Sequence, residues 1–577
     1  MPHVNNFVTA IRQRHPRLRR VSLYESLGFE TTVVAIQDSG GKAYKRSLQH
    51  ARLADWHVPR FTMRTMKPTS GTTTSVWMAT ANVPSQKMLG EDTSANVVIV
   101  GAGIAGLTTA YLLARSGKAV IVLDDGPIGG GMTARTTAHL TCALDDRFYE
   151  LERLFGEEGS RLAGQSHAAA INEVERIVRQ ENIDCEFQRT DGYLFLSPSG
   201  THELLNEELA AAHRAGLTQV QRIDRVPVDF WDSGPCLHFP RQAQFHPLKY
   251  LTGLAQAIER DGGQVFTNTH ASDISGGEAA HVITASGYTI QCDTIVVATN
   301  SPVNDRFVIH TKQAPYTTYV IGARIPRGSI QAMLLWDGPF NTHEAYHYIR
   351  IAREDDHDVL VVGGEDHKTG QHNDGAQRWG KLEQWTRNRF PMVEEIEFRW
   401  SGQVMEPVDS LAFIGRNPDD DKNVFIATGD SGMGMTHGTI AGMLLTDLIV
   451  ERENPWTELY DPSRKTVAAV KDFVEANVNV ATQYADLVTP GEVDSIDDVA
   501  KGEGAVIRRG LSKAAVYRDD DGVVHSTSGV CRHLGCIVAW NSAEKTWDCP
   551  CHGSRYDRFG EVINGPANKG LEPTDVS

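Results

Sequence analysis

The feature that most constrains the fold of this 577-residue chain is a cluster of cysteines and histidines near its C-terminal end. A structural zinc site would use four ligands with paired C-x-x-C or H-x-x-x-H spacing, whereas here six soft or borderline ligands form two matching boxes. The stretch therefore predicts a metal centre built by two loops, with zinc as the weaker interpretation. The residues are Cys531, His533 and Cys536 in the first box, and Cys549, Cys551 and His552 in the second.

The boxes C-x-H-L-G-C and C-P-C-H-G-S resemble those of Rieske [2Fe-2S] proteins, in which two thiolates hold one iron and two imidazoles hold the other. The resemblance runs from near Asp497 to the C-terminus. It implies thiolate ligands at Cys531 and Cys549, imidazole ligands at His533 and His552, and a disulfide between Cys536 and Cys551.

Two further residues indicate the type of Rieske centre. Ser554 and Tyr556 match hydroxyl donors of the electron-transfer type found in respiratory and photosynthetic cytochrome complexes. Hydrogen bonds to sulfur stabilise the reduced cluster, so we expect a potential in the upper part of the range of about -150 to +300 mV. Gly565-Pro566-Ala567 resembles the loop that covers the cluster there. Those proteins have a membrane helix and this sequence shows none, which implies a different electron partner.

A dinucleotide-binding pattern stands upstream. The apolar run Val97–Val100 is followed by Gly101-Ala-Gly103-Ile-Ala-Gly106 and then by a helical pattern. In order, the three glycines permit a tight turn, approach of a pyrophosphate to the helix N-terminus, and close packing of helix and strand. Asp124, at the end of the next predicted strand, is placed to bind an adenosine ribose.

Three later segments resemble FAD oxidoreductases of the glycine/D-amino acid oxidase family: Gly129–Arg135, Asp293–Asn300 and Asn423–Gly434. The likeness extends over about 400 residues, from Ser75 to Trp456. It implies FAD as cofactor, with contacts at Arg135, His139, Gly429, Asp430 and Gly432.

His139 has two possible roles at the flavin. The run Thr133–His139 resembles a stretch of dimethylglycine and sarcosine dehydrogenases in which a histidine bonds covalently to the flavin, but Arg135 and Ala138 depart from that pattern. We therefore expect a non-covalent contact and keep covalent attachment as the alternative.

The substrate site is less defined. Tyr346, Tyr348 and Arg350 alternate along a predicted strand, so the arginine could hold a carboxylate beside an aromatic wall, or the face could be solvated. His367 and His246 are further candidates. Because no second GxGxxG follows a strand, the electron donor is expected to be a small amine or amino acid rather than NAD(P)H.

These patterns predict an α/β FAD-binding Rossmann-type domain with a β-rich substrate domain, followed by a small all-β Rieske domain. The flavin would be reduced by substrate and would pass electrons singly through the cluster to an external one-electron acceptor. The alternatives are an NAD(P)H-driven reductase that feeds an oxygenase, and a redox sensor. The expected segments are residues 1–65, 66–462 for the oxidoreductase, 463–496 for a helical linker, and 497–577 for the Rieske domain.

Charge and hydropathy limit the partners. The net charge of -17 argues against non-specific nucleic-acid binding. The uncharged window Asn96–Ala114 is interpreted as strand, turn and helix rather than a membrane span, and no signal peptide is recognised, so a cytoplasmic protein is expected. The basic residues 1–65 are interpreted as a solvated or disordered tail or as sequence upstream of the natural start, with a mitochondrial presequence as the third interpretation.

Overall fold

The chain divides into two compact units, residues 1–65 and 66–577. In the first unit the described residues form antiparallel strands at Arg20–Tyr24, Val33–Gln37 and Ala43–Arg46. The rest of the basic segment lies outside the described residues, so its role stays a prediction. The computed structural model describes residues 20–24, 33–37, 43–46, 70–304, 308–338, 346–418, 420–510 and 512–574.

The second unit contains a mixed sheet with a parallel centre. Its strand Thr93–Val100 pairs in parallel with Val120–Leu123 on one side and with Thr289–Val297 on the other. The first two of these are joined by the helix Ile104–Arg115, as the glycine pattern predicts. The strands are Thr93–Val100, Val120–Leu123, Gln264–Phe266, Ala271–Ser275, His281–Thr284, Thr289–Val297, Phe413–Arg416 and Val424–Thr428.

Helices cover the mixed sheet. Ile104–Arg115 packs against Gly434–Ile449 and Pro247–Arg260, and its buried residues include Leu107 and Leu113. Among the described residues, no helix has the length and apolar character needed to cross a bilayer. The α-helices are Val76–Thr80, Ile104–Arg115, Phe148–Glu181, His202–Arg214, Pro247–Arg260, Gly375–Arg389, Gly434–Ile449, Thr457–Tyr460 and Val470–Gln483.

A second, mostly antiparallel sheet supplies the predicted β-rich part. Its long strand Gln313–Ile325 pairs with Asp358–Lys368 on one side and Ile396–Pro407 on the other. The predicted strand that carries Tyr348 and Arg350 runs over His347–Arg353, and Tyr346 lies just before it. The strands are His139–Leu140, Gln188–Leu196, Gln221–Ile223, Cys236–Gln244, Gln313–Ile325, Leu334–Gly338, His347–Arg353, Asp358–Lys368 and Ile396–Pro407.

The predicted helical linker, residues 463–496, is α-helical over only part of its length. Val470–Gln483 is α-helical, and 3-10 turns at Val467–Ala469 and Tyr484–Leu487 flank it. Two small antiparallel sheets follow, which agrees with the predicted all-β domain. Their strands are Glu503–Arg509, Ser512–Arg518 and Val524–Ser528 in one sheet, and Ala539–Asn541, Thr546–Asp548, Arg555–Asp557 and Val562–Asn564 in the other.

Candidate flavin cavity and cluster site

A cavity of about 280 Å³ is lined by residues of both large sheets. The turn after Val100 forms one wall, and the start of the helix Gly434–Ile449 forms another. Many of the predicted cofactor and substrate residues converge here although they come from distant segments. Those that line the cavity are Gly101, Gly103, Asp124, Arg135, His139, Tyr346, Tyr348, Gly429, Asp430 and Gly432.

The glycine turn fits a dinucleotide. Gly101 has a φ of +111°, a conformation that L side chains rarely adopt. A Cβ at Gly106 would lie 1.9 Å from the carbonyl oxygen of Gly101, so only glycine allows this close packing. The helix Ile104–Arg115 therefore begins at the cavity wall, where its N-terminal amides favour a pyrophosphate.

Asp124 also lies at the cavity. Its carboxylate accepts hydrogen bonds from the amides of Ala102 at 2.7 Å and Gly126 at 2.8 Å. Each carboxylate oxygen has two lone pairs, so these bonds are compatible with a further bond from a ribose hydroxyl. The ribose contact stays a prediction.

Arg135 lines the cavity, but its charge is used elsewhere. The guanidinium donates to Glu544 at 2.9 Å, to the Ser401 carbonyl at 2.9 Å and to the Thr73 carbonyl at 3.0 Å. The side chains of Arg135 and Glu544 are both fully buried. Sequence reasoning assigned Arg135 to the flavin. In the structure its guanidinium joins the flavin part of the chain, residues 66–462, to the cluster part, residues 497–577.

Both ring nitrogens of His139 are hydrogen-bonded. Nε2 donates to the Ile349 carbonyl at 3.2 Å, which leaves Nδ1 to accept from the Thr137 hydroxyl at 3.0 Å. Burial, with a smaller contribution from Arg350, lowers the pKa of His139 to about 3, so the ring is neutral. This arrangement suits the non-covalent flavin contact, while the covalent alternative stays untested.

The predicted substrate residues separate into two groups. Tyr346 and Tyr348 line the cavity with ring centroids 5.3 Å apart. Arg350 does not line it: the buried guanidinium donates to the carbonyls of Ala138 at 2.8 Å and Phe245 at 3.0 Å. Nη1 of Arg350 is thus used by backbone oxygens, and its contact with a substrate carboxylate stays a prediction.

The two histidine candidates also lie outside the cavity lining. His367 donates from Nδ1 to the Lys368 carbonyl and accepts the Tyr319 hydroxyl at 3.0 Å. His246 caps the helix Pro247–Arg260 by accepting the Lys249 amide. These contacts explain both residues as parts of the fold.

Sequence reasoning assigned Asp430 to the flavin but missed the other carboxyl groups at the cavity. Asp145 and Asp430 line it, with Asp146 and Glu406 behind, and the Ser431 hydroxyl oxygen lies 2.8 Å from a carboxyl oxygen of each of these two. Burial raises the pKa of Asp145 to about 7 and that of Asp430 to about 6. The adjacent acids at 145 and 146 belong to no motif, so no local signal could have found them.

The cluster residues converge on one place. The rings of His533 and His552 lie with centroids 5.0 Å apart, and Cys531 and Cys549 are buried beside them. Cys536 and Cys551 form the disulfide that the Rieske resemblance implied, with Cα atoms 6.4 Å apart. Two thiols and two imidazoles supplied by tied loops fit the donor set of a Rieske cluster. This geometry is consistent with the predicted ligands, and their assignment stays a prediction: Cys531, Cys549, His533 and His552.

The two predicted hydroxyl donors face the same place. The Tyr556 oxygen lies 3.2 Å from Cys531 Sγ and accepts the Arg532 amide at 3.0 Å, so its own proton is left for the sulfur. The buried Ser554 oxygen accepts the Ala567 amide at 3.0 Å. That bond ties the loop Gly565-Pro566-Ala567 to the site and leaves the serine proton for an acceptor.

The cavity and the cluster site share a wall. Residues 562–565, 567 and 568 of the cluster part line the cavity. From the other side, the buried Gln403 lines the cavity and donates through Nε2 to the carbonyl of Gly553 at 2.9 Å. One hydrogen bond therefore connects the cavity wall to the residue that follows His552.

Comparisons with known protein families agree with both the flavin cavity and the cluster site. The family described as FAD dependent oxidoreductase matches residues 96–448, and the Rieske [2Fe-2S] domain matches residues 489–574. The chain belongs to the FAD dependent oxidoreductase family and carries a C-terminal Rieske domain, so its cofactors are FAD and a [2Fe-2S] cluster.

Individual relatives cover different shares of the chain. A putative Rieske 2Fe-2S iron-sulfur protein, YhfW, of Bacillus subtilis is 32% identical over 510 residues, which are 87% of this chain and 97% of the relative. The gamma-glutamylputrescine oxidoreductase of Escherichia coli is 25% identical and covers 65% of this chain and 89% of its own length. The crystal structure of glycine oxidase from Geobacillus kaustophilus aligns with a TM-score of 0.52 and 18% identity, over 64% of this chain and 99% of that one.

Proposed function

We propose that this enzyme is a dehydrogenase that oxidises a small amine at FAD and passes the electrons one at a time through the Rieske cluster to an external acceptor. The observation that carries the proposal is the shared wall, since the segment around Ala567 borders both sites. A second cofactor placed beside the flavin provides an outlet other than oxygen.

The charge of the cavity supports a cationic amine. Among the described residues that line it, Arg135 is the one Lys or Arg side chain, and it is paired with Glu544. Asp145 and Asp430 face the same space. A cation bound between them would favour their ionised forms, which burial otherwise opposes. The Escherichia coli relative is likewise named for an amine, gamma-glutamylputrescine.

The redox balance has two stages. A C–N single bond of the amine becomes a C=N double bond, and hydride with its two electrons passes to FAD while a proton leaves. The cluster would take up these electrons one at a time, each reducing one ferric ion to ferrous, and the acceptor would remove each electron before the next arrives. Two acceptor molecules are therefore reduced for each amine oxidised.

An anaerobic substrate screen tests the proposal. N-methylated glycines, D-amino acids, L-proline analogues and polyamine derivatives are added to the holoenzyme, and flavin bleaching is recorded; cationic amines should bleach the flavin fastest. NAD(P)H is added in parallel. Bleaching by NAD(P)H and by no amine would overturn the proposal in favour of a reductase.

A further inference from the structure

The face of the cluster site that carries the histidines is covered by the chain's own flavin part. His310, in the connection between the strands Thr289–Val297 and Gln313–Ile325, is 2% exposed. Its ring centroid lies 4.7 Å from that of His533 and 6.0 Å from that of His552. The three imidazoles thus pack edge to face in a closed triangle.

The segment that carries His310 is held from two sides. Asn477 of the linker helix donates to the Thr311 carbonyl at 2.9 Å. The Gln313 side chain lies 3.2 Å from the Thr428 hydroxyl, which donates to the Asn300 carbonyl at 2.6 Å, and Thr428 lines the flavin cavity just before Gly429. The position of His310 is therefore coupled to the flavin motif as well as to the cluster loops.

The second cluster loop is seated on the same part of the chain. Gly553 has a φ of +80°, and a Cβ there would lie 2.6 Å from Pro315 Cβ and 2.7 Å from Gln403 Nε2. Only glycine lets the loop approach this closely. Together with the Gln403 hydrogen bond, this contact leaves no gap for a partner protein between the second loop and the flavin part.

We propose that His310 is a positioning residue for the cluster: it packs against both imidazole ligands, excludes water from them and couples them to the flavin cavity. The histidine face is then the entry for electrons from the chain's own flavin, and the external acceptor takes them from another side. This inference rests on the proposed flow from flavin to cluster. The step moves one electron from reduced FAD to one ferric ion, which becomes ferrous.

The potential of the cluster gives the first test. His310→Ala opens space beside both ligands and admits water. Because the reduced cluster carries one more negative charge than the oxidised one, water stabilises it, and the midpoint potential should rise. The electron paramagnetic resonance spectrum of the dithionite-reduced holoenzyme should change its g values. His310→Phe keeps a ring in the same space and should restore most of the original potential.

The rate of internal electron transfer gives the second test. The flavin is reduced by a light flash with a sacrificial donor, so no substrate is needed, and cluster reduction is followed optically. A higher cluster potential alone would speed this transfer. A slowing of about tenfold or more in His310→Ala would therefore report lost coupling.

Asn373→Ala is the matched control, because Asn373 also joins the two parts of the chain, through Ser542, but touches neither histidine. It should leave potential, spectrum and transfer rate unchanged. Equal values in the wild type and His310→Ala would overturn the inference, as would equal effects of His310→Ala and Asn373→Ala. Failure of every amine to bleach the flavin would overturn the proposed function without affecting either measurement.

Discussion

The flavin cavity and the cluster site use polar groups in opposite ways. At the cluster site the hydroxyls of Ser554 and Tyr556 already accept backbone amides and aim their protons inward. At the cavity, Asp145 and Asp430 stand close to further carboxyl groups and have raised pKa values. The hydroxyl protons at the cluster site thus suit an electron-rich group, whereas the acids of the cavity suit the cation that we propose as substrate.

Removing a predicted cluster ligand should have the largest effect, because it should abolish the function of one site and leave the other intact. Cys549→Ala should abolish the Rieske electron paramagnetic resonance signal and the turnover with a one-electron acceptor, while substrate still bleaches the flavin. Metal analysis, spectra and stopped flow measure these effects. If the variant turned over with oxygen as fast as the wild type does with any acceptor, the cluster would not be the outlet.

The buried ion pair should have the next largest effect. Glu544→Gln leaves the guanidinium of Arg135 buried without its counter-charge, which should lower the free energy of unfolding by roughly 3–5 kcal/mol. Denaturant unfolding of the holoenzyme measures the loss. Glu158→Gln, which breaks an exposed pair with Arg161, should lower the free energy of unfolding far less, because solvent screens that pair. Similar losses in the two variants would contradict the role assigned to the buried pair.

The carboxyl groups of the cavity predict a pH dependence. The pKa of Asp145 is about 7, so the group is neutral below that pH and negative above it. The affinity for a non-oxidisable cationic amine should therefore rise as the pH passes from 6 to 8, by about tenfold. Asp145→Asn should remove this rise, and flavin difference spectra measure both. An unchanged profile would place the cation elsewhere.

The same pKa predicts the opposite trend for the stability of the ligand-free protein. A carboxyl group whose folded pKa is raised contributes stability that is fully present below the unfolded pKa, near 4, and lost as the pH rises through about 7. Asp145→Asn should therefore unfold at a higher temperature than the wild type at pH 8 and at a similar one at pH 4. Equal melting temperatures at pH 8 would show that burial of the Asp145 carboxylate does not lower the stability of the fold.

The smallest effect concerns one hydroxyl. Tyr556→Phe removes the hydrogen bond to Cys531 and should lower the cluster potential by roughly tens of millivolts, because hydrogen bonds to sulfur favour the reduced state. A spectroscopic redox titration measures it. A potential that rises or stays constant would mean that the tyrosine proton is not directed at the sulfur.

Sequence reasoning succeeded where all the residues of a motif lie within one short segment. The glycine turn at Gly101 and the cluster boxes depend on neighbours a few residues away, so spacing alone predicts them. The partners of Arg135 and Arg350 lie far along the chain, and nothing near either residue signals them. His310 was missed for the same reason, because its role arises only when the cluster loops fold onto it.

The pairing of Arg135 with Glu544 also has a consequence for biosynthesis. The two residues are 409 positions apart, and ribosomes add about 5 to 20 residues per second, so the arginine is made roughly 20 to 80 s before its carboxylate. Throughout that time the flavin part lacks the charge that its buried guanidinium requires. We therefore expect the final packing of the flavin part only after the segment around Glu544 has been translated.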